Sequence, residues 1–358
     1  MTRFVQLHLL TPYGAANLNR DDTGRPKTLS YGGAERLRIS SQSLKRAFRT
    51  SEVFACLLPN TLGQRSQGFA KGLVDALVAR GLSSEEAVLR AEAVVEHDKL
   101  GKVKDKGRGS AKTEQLVHLA PEELAAVTAL ADRLSEGGLG DEKSMLVLKD
   151  KPRAADIAMF GRMLADNPGF NVEAAVQVAH AFTTHRVTVE DDYYTAVDDI
   201  KNADQDADRG AGFIGVQQYG AGLFYLYVCV DADGLLSNLA GDRALAADAL
   251  EALIRAAATV SPTGKQNAFA SRSKAAYAVQ EIGETAPRSL AGAFQNPVGT
   301  APGESDHKAA SILRLNRLRD GYARIYNEAF DSLVMDVEDD QSASLDELTA
   351  AARALYGA

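Results

Sequence analysis

The chain has 358 residues, of which 45% are hydrophobic and 25% charged, and its formal net charge is -8. That length holds two or more units of ordinary domain size, and the apolar content suffices for a core, so a wholly disordered chain is excluded. The acidic balance argues against a nonspecific nucleic-acid binder. Taken in chain order, "FVQLHLL" (4–10) places Val5, Leu7 and Leu9 on one side and reads as a strand. A long polar stretch follows, "TPYGAANLNRDDTGRPKTLSYGGAE", too long for a tight connection and expected to be functional or ordered against another element. Then comes a short basic helix, "RISSQSLKRAFR" (38–49). Residues 1–50 carry nine Lys/Arg against three Asp/Glu, a local balance of +6 that leaves -14 on the rest. A basic segment on an acidic body points to one confined anion site.

Residues 60–180 read as mostly helical. "SSEEAVLRAEAVVEHDK" opens with a capping box from Ser83 to Glu86. "APEELAAVTALADRLSEGG" has Pro121 in its first turn and Gly137 past its end. Between them lies a basic, glycine-bearing loop (99–112), and "NVEAAVQVAHAFTTH" gives a third helical pattern. Residues 186–222 are acidic in the middle with β-branched and aromatic ends, and predict a protruding hairpin or arm. "GLFYLYVCVD" (222–231), apolar on both faces, predicts a buried central strand. Helices are expected over 244–260 and 308–330, with a last one capped by Ser344 and Glu347. The two cysteines, Cys56 and Cys229, sit among apolar neighbours and read as buried thiols of a reducing compartment. No apolar run reaches the length of a membrane span, and "MTRFVQLHLLTPYG" has no signal-peptide layout, so the expected location is cytoplasmic. The expected class is α+β, a compact sheet core with insertions.

On a helical wheel with Lys45 at 0°, Arg49 falls at about 40°, Gln42 at about 60° and Arg46 at about 100°. Leu44, Ala47 and Phe48 share the opposite arc. Ser40 or Ser41 can cap the helix, whose free N–H groups favour an anion. Guanidinium forks and a lysine point charge suit a phosphate backbone. Arg20, Arg25, Lys27, Arg36 and Arg38 lie just upstream. In "SPTGKQ" (261–266), Gly264 and Lys265 offer a further phosphate loop, although the spacing is not a Walker motif.

"ANLNRDDTGRPKT" (16–28) followed by "GGAERLRISSQSLKRAFR" (32–49) resembles the CasC family, the backbone subunits of the type I-E CRISPR Cascade surveillance complex. The likeness continues through "AMFGRM" (158–163), "AHAFTTHRV" (179–187), "DDYYTAVDD" (191–199) and "GAGLFYLYVCV" (220–230), and is looser over 60–155 and the last thirty residues. It implies a hand-like α+β fold with an RRM-like (ferredoxin-like) palm in residues 1–58 and 223–358. A helical finger insertion would occupy 59–180 and a protruding thumb arm 186–222. It also implies a non-catalytic protein that oligomerises along crRNA beside neighbouring copies of itself and other Cascade subunits. Such a protein presents the guide for pairing with target DNA, while a recruited helicase-nuclease cuts. RNA-backbone contacts carried over by the resemblance are Arg20, Lys27, Ser40, Gln42, Lys45, Arg46 and Arg49. Its base-displacing wedge maps to Tyr193 and Tyr194, with Met163 on a facing segment. Adjacent tyrosines on a strand point to opposite faces, so at most one of them, Tyr194 by preference, is expected to touch a base directly.

No cofactor is expected. The chain has no HExxH and no CxxC, and on a helix His180 and His185 would lie about 140° apart, unsuited to a shared metal. His8 reads as a packed or surface strand residue rather than a general base. The alternative is a metal-dependent RNA-cleaving subunit that uses Asp21 and Asp22 to hold Mg²⁺. Beside Arg20, Arg25 and Lys27, those two carboxylates read first as ion-pair partners that fix the loop.

Overall fold

A computed structural model describes residues 2–97, 100–104, 106, 111–136, 146–196 and 213–357. Residues 99, 105 and 107–110 of the expected basic loop, Gly137, and residues 197–212 of the expected arm lie outside the described residues. The chain opens with β1 (Phe4–Ala16), then the hairpin β2 (Thr28–Tyr31) and β3 (Ala34–Ile39), then α1 (Ser41–Arg49) and α2 (Glu52–Leu57). A helical unit follows: β4 (Gln64–Ser66), α3 (Lys71–Ala79), α4 (Ser84–His97), β5 (Val117–Leu119), α5 (Pro121–Ser135) and α6 (Ala155–Phe160). The chain then forms β6 (Val176–Val178), β7 (Ala181–Thr183), β8 (Glu190–Ala196) and the long β9 (Phe213–Asp231). It ends with α7 (Ala232–Asn238), α8 (Arg243–Thr259), α9 (Gln266–Phe269), β10 (Tyr277–Gly283), α10 (His307–Tyr326), β11 (Asp331–Asp336) and α11 (Leu345–Arg353).

The main sheet runs β11-β10-β1-β9-β7-β3-β2, with β6 and β8 also paired to β9, and every strand ladder in it is antiparallel. Alternation along the strands sends side chains to two covered faces. Val5, Leu7 and Leu9 of β1 and Leu226, Val228 and Val230 of β9 pack with α8 and with Leu44 and Phe48 of α1. Tyr225, Tyr227 and Cys229 face the other way, with Tyr277, Val279, Phe294 and Leu315. The mixed α/β class and the doubly buried central strand agree with the sequence. A separate apolar cluster lies in the helical unit, around Leu73, Leu77, Val94, Val95, Val127 and Leu130.

Four expectations change. The polar stretch after residue 10 is not one loop. β1 continues to Ala16, and Gly32 and Gly33, at φ 59° and 72°, make the turn of a hairpin. A Cβ on Gly32 would fall 1.5 Å from the Gln295 carbonyl oxygen, so only glycine fits there. The third helical pattern is two short strands, β6 and β7. The 308–330 helix stops at Tyr326, and the chain adds β11 as the sheet edge. Cys56 is exposed and only Cys229 is buried, because α2 turns Phe54 rather than Cys56 into the core.

Candidate nucleic-acid interface

The basic loop is held as a shaped turn. Asn19 accepts the Lys27 amide at its carbonyl (2.7 Å) and the Ser40 amide at its side chain (2.8 Å), joining the loop to the start of α1. Asn17 donates through Nδ2 to the carbonyls of Gly24 (3.1 Å) and Gln218 (2.9 Å), tying the same loop to β9. Asp21 Oδ1 accepts from the Thr23 amide and hydroxyl and from the Arg25 amide, which pulls its carboxyl below the usual range. Asp22 is exposed. Among the described residues no group of three or more His, Cys, Asp or Glu side chains converges as a metal site would. The sequence reading missed Asn17 and Asn19. Their signal was the "NLN" run ahead of a turn, since asparagine side chains bond to nearby backbone.

Ser40 is the N-cap of α1, its Oγ accepting from the Ser43 amide (3.3 Å), and Leu44 and Phe48 are buried as the wheel requires. The polar residues do not share one destination. Arg46 lines a cleft of about 430 Å³ with Arg20, Asp21, Ser43, Thr50, Thr263 and Gly264. Gly264 packs so closely that a Cβ there would lie 2.3 Å from the Leu18 carbonyl oxygen. Gln42 is exposed. Lys45 turns toward the helical unit, its Nζ 5.8 Å from the centre of the Phe160 ring, and burial lowers its pKa. Arg49 turns the same way and meets buried Asp156, Nε to Oδ2 at 3.7 Å. Lys27 is half-buried. Arg36 does not join the anion surface. It is fully buried and donates to the carbonyls of Thr183 (2.9 Å) and Phe294 (3.1 Å).

At the first turn of α1, His180 Nδ1 lies 3.3 Å from Arg38 Nη1 and accepts from the Ser41 amide (3.4 Å). Burial, Arg38 and Lys27 all lower its pKa, which favours the neutral ring. Lys265 is committed elsewhere: at φ 51° its Nζ donates to Gln217 Oε1 (2.7 Å) at the base of the arm. Phe269 meets Tyr219 at the same place, 5.9 Å between ring centres.

β8 pairs with β9 so that Tyr193 faces Val216 and Tyr194 faces Gly215, which puts the two tyrosines on opposite faces of the ribbon. Their exposures are 63% and 45%. The Tyr194 ring covers Gly215, where a Cβ would lie 2.6 Å away. Met163 is 82% exposed and borders a small pocket of the helical unit with Leu100, Gln115 and Leu116. His8 is buried on β1, as expected of a packed strand residue. No helix among the described residues is long and apolar enough to cross a membrane.

No curated protein matches the chain in sequence. Two solved structures resemble it over nearly its full length. One, a chain of a "CRISPR RNA-guided surveillance complex, pre-nicking", is 31% identical, with a TM-score of 0.82, over 99% of this chain and 100% of that one. The other, from a "CRISPR RNA-guided surveillance complex", is 27% identical, with a TM-score of 0.75, over 98% and 99%. Residues 5–356 match the family described as CT1975-like protein, and with nearly the whole chain matched, the chain belongs to that family.

Proposed function

We propose that this chain is a CasC-type backbone subunit of a type I-E Cascade complex, working in the cytoplasm as a holder of crRNA and not as a catalyst. The observation that carries the reading is the Arg20–Arg46 cleft, in a chain that resembles CRISPR surveillance-complex subunits end to end. Arg20, Arg46 and Ser43 line a space wide enough for a phosphate, with Asp21 also on its wall and engaged by its own turn. In this reading the main sheet is an RRM-like palm, the helical unit its fingers and the β8–β9 ribbon its thumb. Copies lie side by side along the guide, other Cascade subunits complete the complex, target DNA pairs with the guide, and a recruited helicase-nuclease cuts. The turn that engages Asp21 supports a structural role for that carboxylate over Mg²⁺ binding.

The test is expression beside a CRISPR array. The wild-type chain is expected to purify with RNA, and Arg20→Glu with Arg46→Glu is expected to lose the RNA while keeping its circular dichroism. A wild-type chain free of RNA, or a double variant that keeps its RNA at high salt, refutes the reading. Incubating labelled RNA with Mg²⁺ tests the holder against the cutter: cleavage abolished by Asp21→Ala would establish an enzyme.

A further inference from the structure

The charge of Arg49 is already answered within the chain. Asp156 is fully buried at the start of α6, and its Oδ1 accepts the Gly63 amide at 2.7 Å. Its Oδ2 lies 3.0 Å from His118 Nε2 and 3.7 Å from Arg49 Nε. Arg49 Nη1 is also 3.5 Å from His118 Nε2, and only 17% of the Arg49 side chain is exposed. This node fastens α1 to the helical unit through β5 and α6. A guanidinium so placed is a strut, because leaving a buried carboxylate without its partners is costly.

The same node brings another cation to the surface. In the β4–β5 pair, His118 stands directly opposite Arg65. Directly opposed residues of an antiparallel pair project from the same face. Arg65 therefore leaves the ribbon on the side where His118 meets Arg49. Unlike Arg49, it is exposed, and it has no acidic partner among the described residues. Its charge also reaches Arg49, contributing to the lowering of that residue's pKa behind the effect of burial. Sequence reading passed over Arg65 because it sits in "GQRSQG", with no helical pattern and no neighbouring cation.

Resting on the guide-holding reading, we propose that Arg65 contacts RNA phosphate and extends the binding surface from α1 onto the helical unit, while Arg49 positions α1 through Asp156. Each phosphate contact to a single strand contributes about 0.7 to the slope of log affinity against log salt. Affinity of the purified chain for labelled single-stranded RNA is measured by anisotropy across a salt series. Arg65→Ala is expected to reduce the slope by about 0.7, as does Arg46→Ala. Arg49→Gln is expected to keep the wild-type slope while lowering the melting temperature. A wild-type slope in Arg65→Ala, or a slope in Arg49→Gln reduced like that of Arg46→Ala, overturns the inference and leaves the functional reading intact. A wild-type chain with no RNA affinity overturns both. Arg65 is exposed, so its variant folds even if those at the node do not.

Discussion

Glu281 is nearly buried on the face of the sheet away from α1, and it carries its charge there because three side chains support it. The Tyr225 hydroxyl lies 2.9 Å from His8 Nδ1, and His8 Nε2 lies 3.4 Å from a Glu281 carboxylate oxygen. Arg288 donates to both Glu281 oxygens and pairs with Glu328 at 2.7 Å. Burial alone would raise the Glu281 carboxyl. The His8 ring N–H and the Arg288 guanidinium outweigh it and bring the pKa from 4.5 to about 2. A displacement of that size corresponds to roughly 3 kcal/mol. The folded value lies below the ordinary one, so this stability is complete above pH 4.5 and disappears as pH falls toward 2. Burial lowers the pKa of His8, so folding favours its neutral ring, and that contribution begins to fade once pH drops below 6.5. The melting temperature is therefore expected to fall in two stages, below pH 6.5 and again below 4.5. Glu281→Gln is expected to remove the lower stage and to cost roughly 3 kcal/mol at neutral pH, since Arg288 loses one carboxylate partner and keeps Glu328. Chemical denaturation at pH 7, 4.5 and 2.5 checks both. An unchanged lower stage in the variant refutes the assignment.

At the level of elements, what could be read from the sequence depended on how local the cause was. The caps at Ser40, Ser83 and Ser344 lie where local chemistry places them, because a cap needs only three or four neighbouring residues. The segment 171–185 misled because its alanines favour a helix while a long-range partner decides the outcome. Val176 and Val178 are buried around exposed Gln177, a period-2 signal three residues long, too short to outweigh the helical pattern. Along β9 the register slips by one residue: Val178 stands opposite Val228, but Phe182 stands opposite Tyr225. The bulge falls at Ala179–His180 and brings His180 to Arg38 and the first turn of α1, something no helical wheel could show. The β8–β9 pairing agrees with the hairpin expected from the β-branched and aromatic ends of this segment, but its apolar exposure on both faces was not legible. Tyr193, Ile214 and Val216 share one exposed face, and Tyr194 and Phe213 share the other. A two-stranded ribbon is marginal alone, and exposed apolar residues on both faces suit a surface that meets a partner. Tyr193→Ala with Val216→Ala is expected to change folding stability by less than about 0.5 kcal/mol, because neither side chain packs in a core. In the guide-holding reading, the same double variant is expected to lose the regular steps of nuclease-protected RNA. An unchanged protection ladder removes the arm from RNA organisation.

Across the whole molecule, the helical unit has an apolar cluster of its own, joined to the sheet by polar contacts and by Ala155, Ala158 and Met159 of α6, which pack into the core beside α8, and this bears on how the chain unfolds. One core lies between the sheet and α8, while the core of the helical unit is built from residues 69–164. Thr61, Gly63, Asp156 and His118 connect them largely by hydrogen bonds. Hydrogen bonds contribute about 1 kcal/mol each in net terms, and α6 adds three apolar side chains against the many of either cluster, so each unit's stability is expected to be set chiefly within itself. Leu73 and Leu250 report on the units separately, since both are fully buried, one in each core. Each Leu→Ala change is expected to cost about 2–5 kcal/mol where it is made. Calorimetry of the wild type is expected to show two transitions, with Leu73→Ala lowering one and Leu250→Ala the other. A single transition lowered equally by both variants would mean that the units fold as one. If they separate, the Arg20–Arg46 cleft belongs to the sheet unit while Arg65 and His118 belong to the helical one. RNA spanning both would then raise the transition of the less stable unit toward the other, because a ligand bound across two units stabilises whichever opens first.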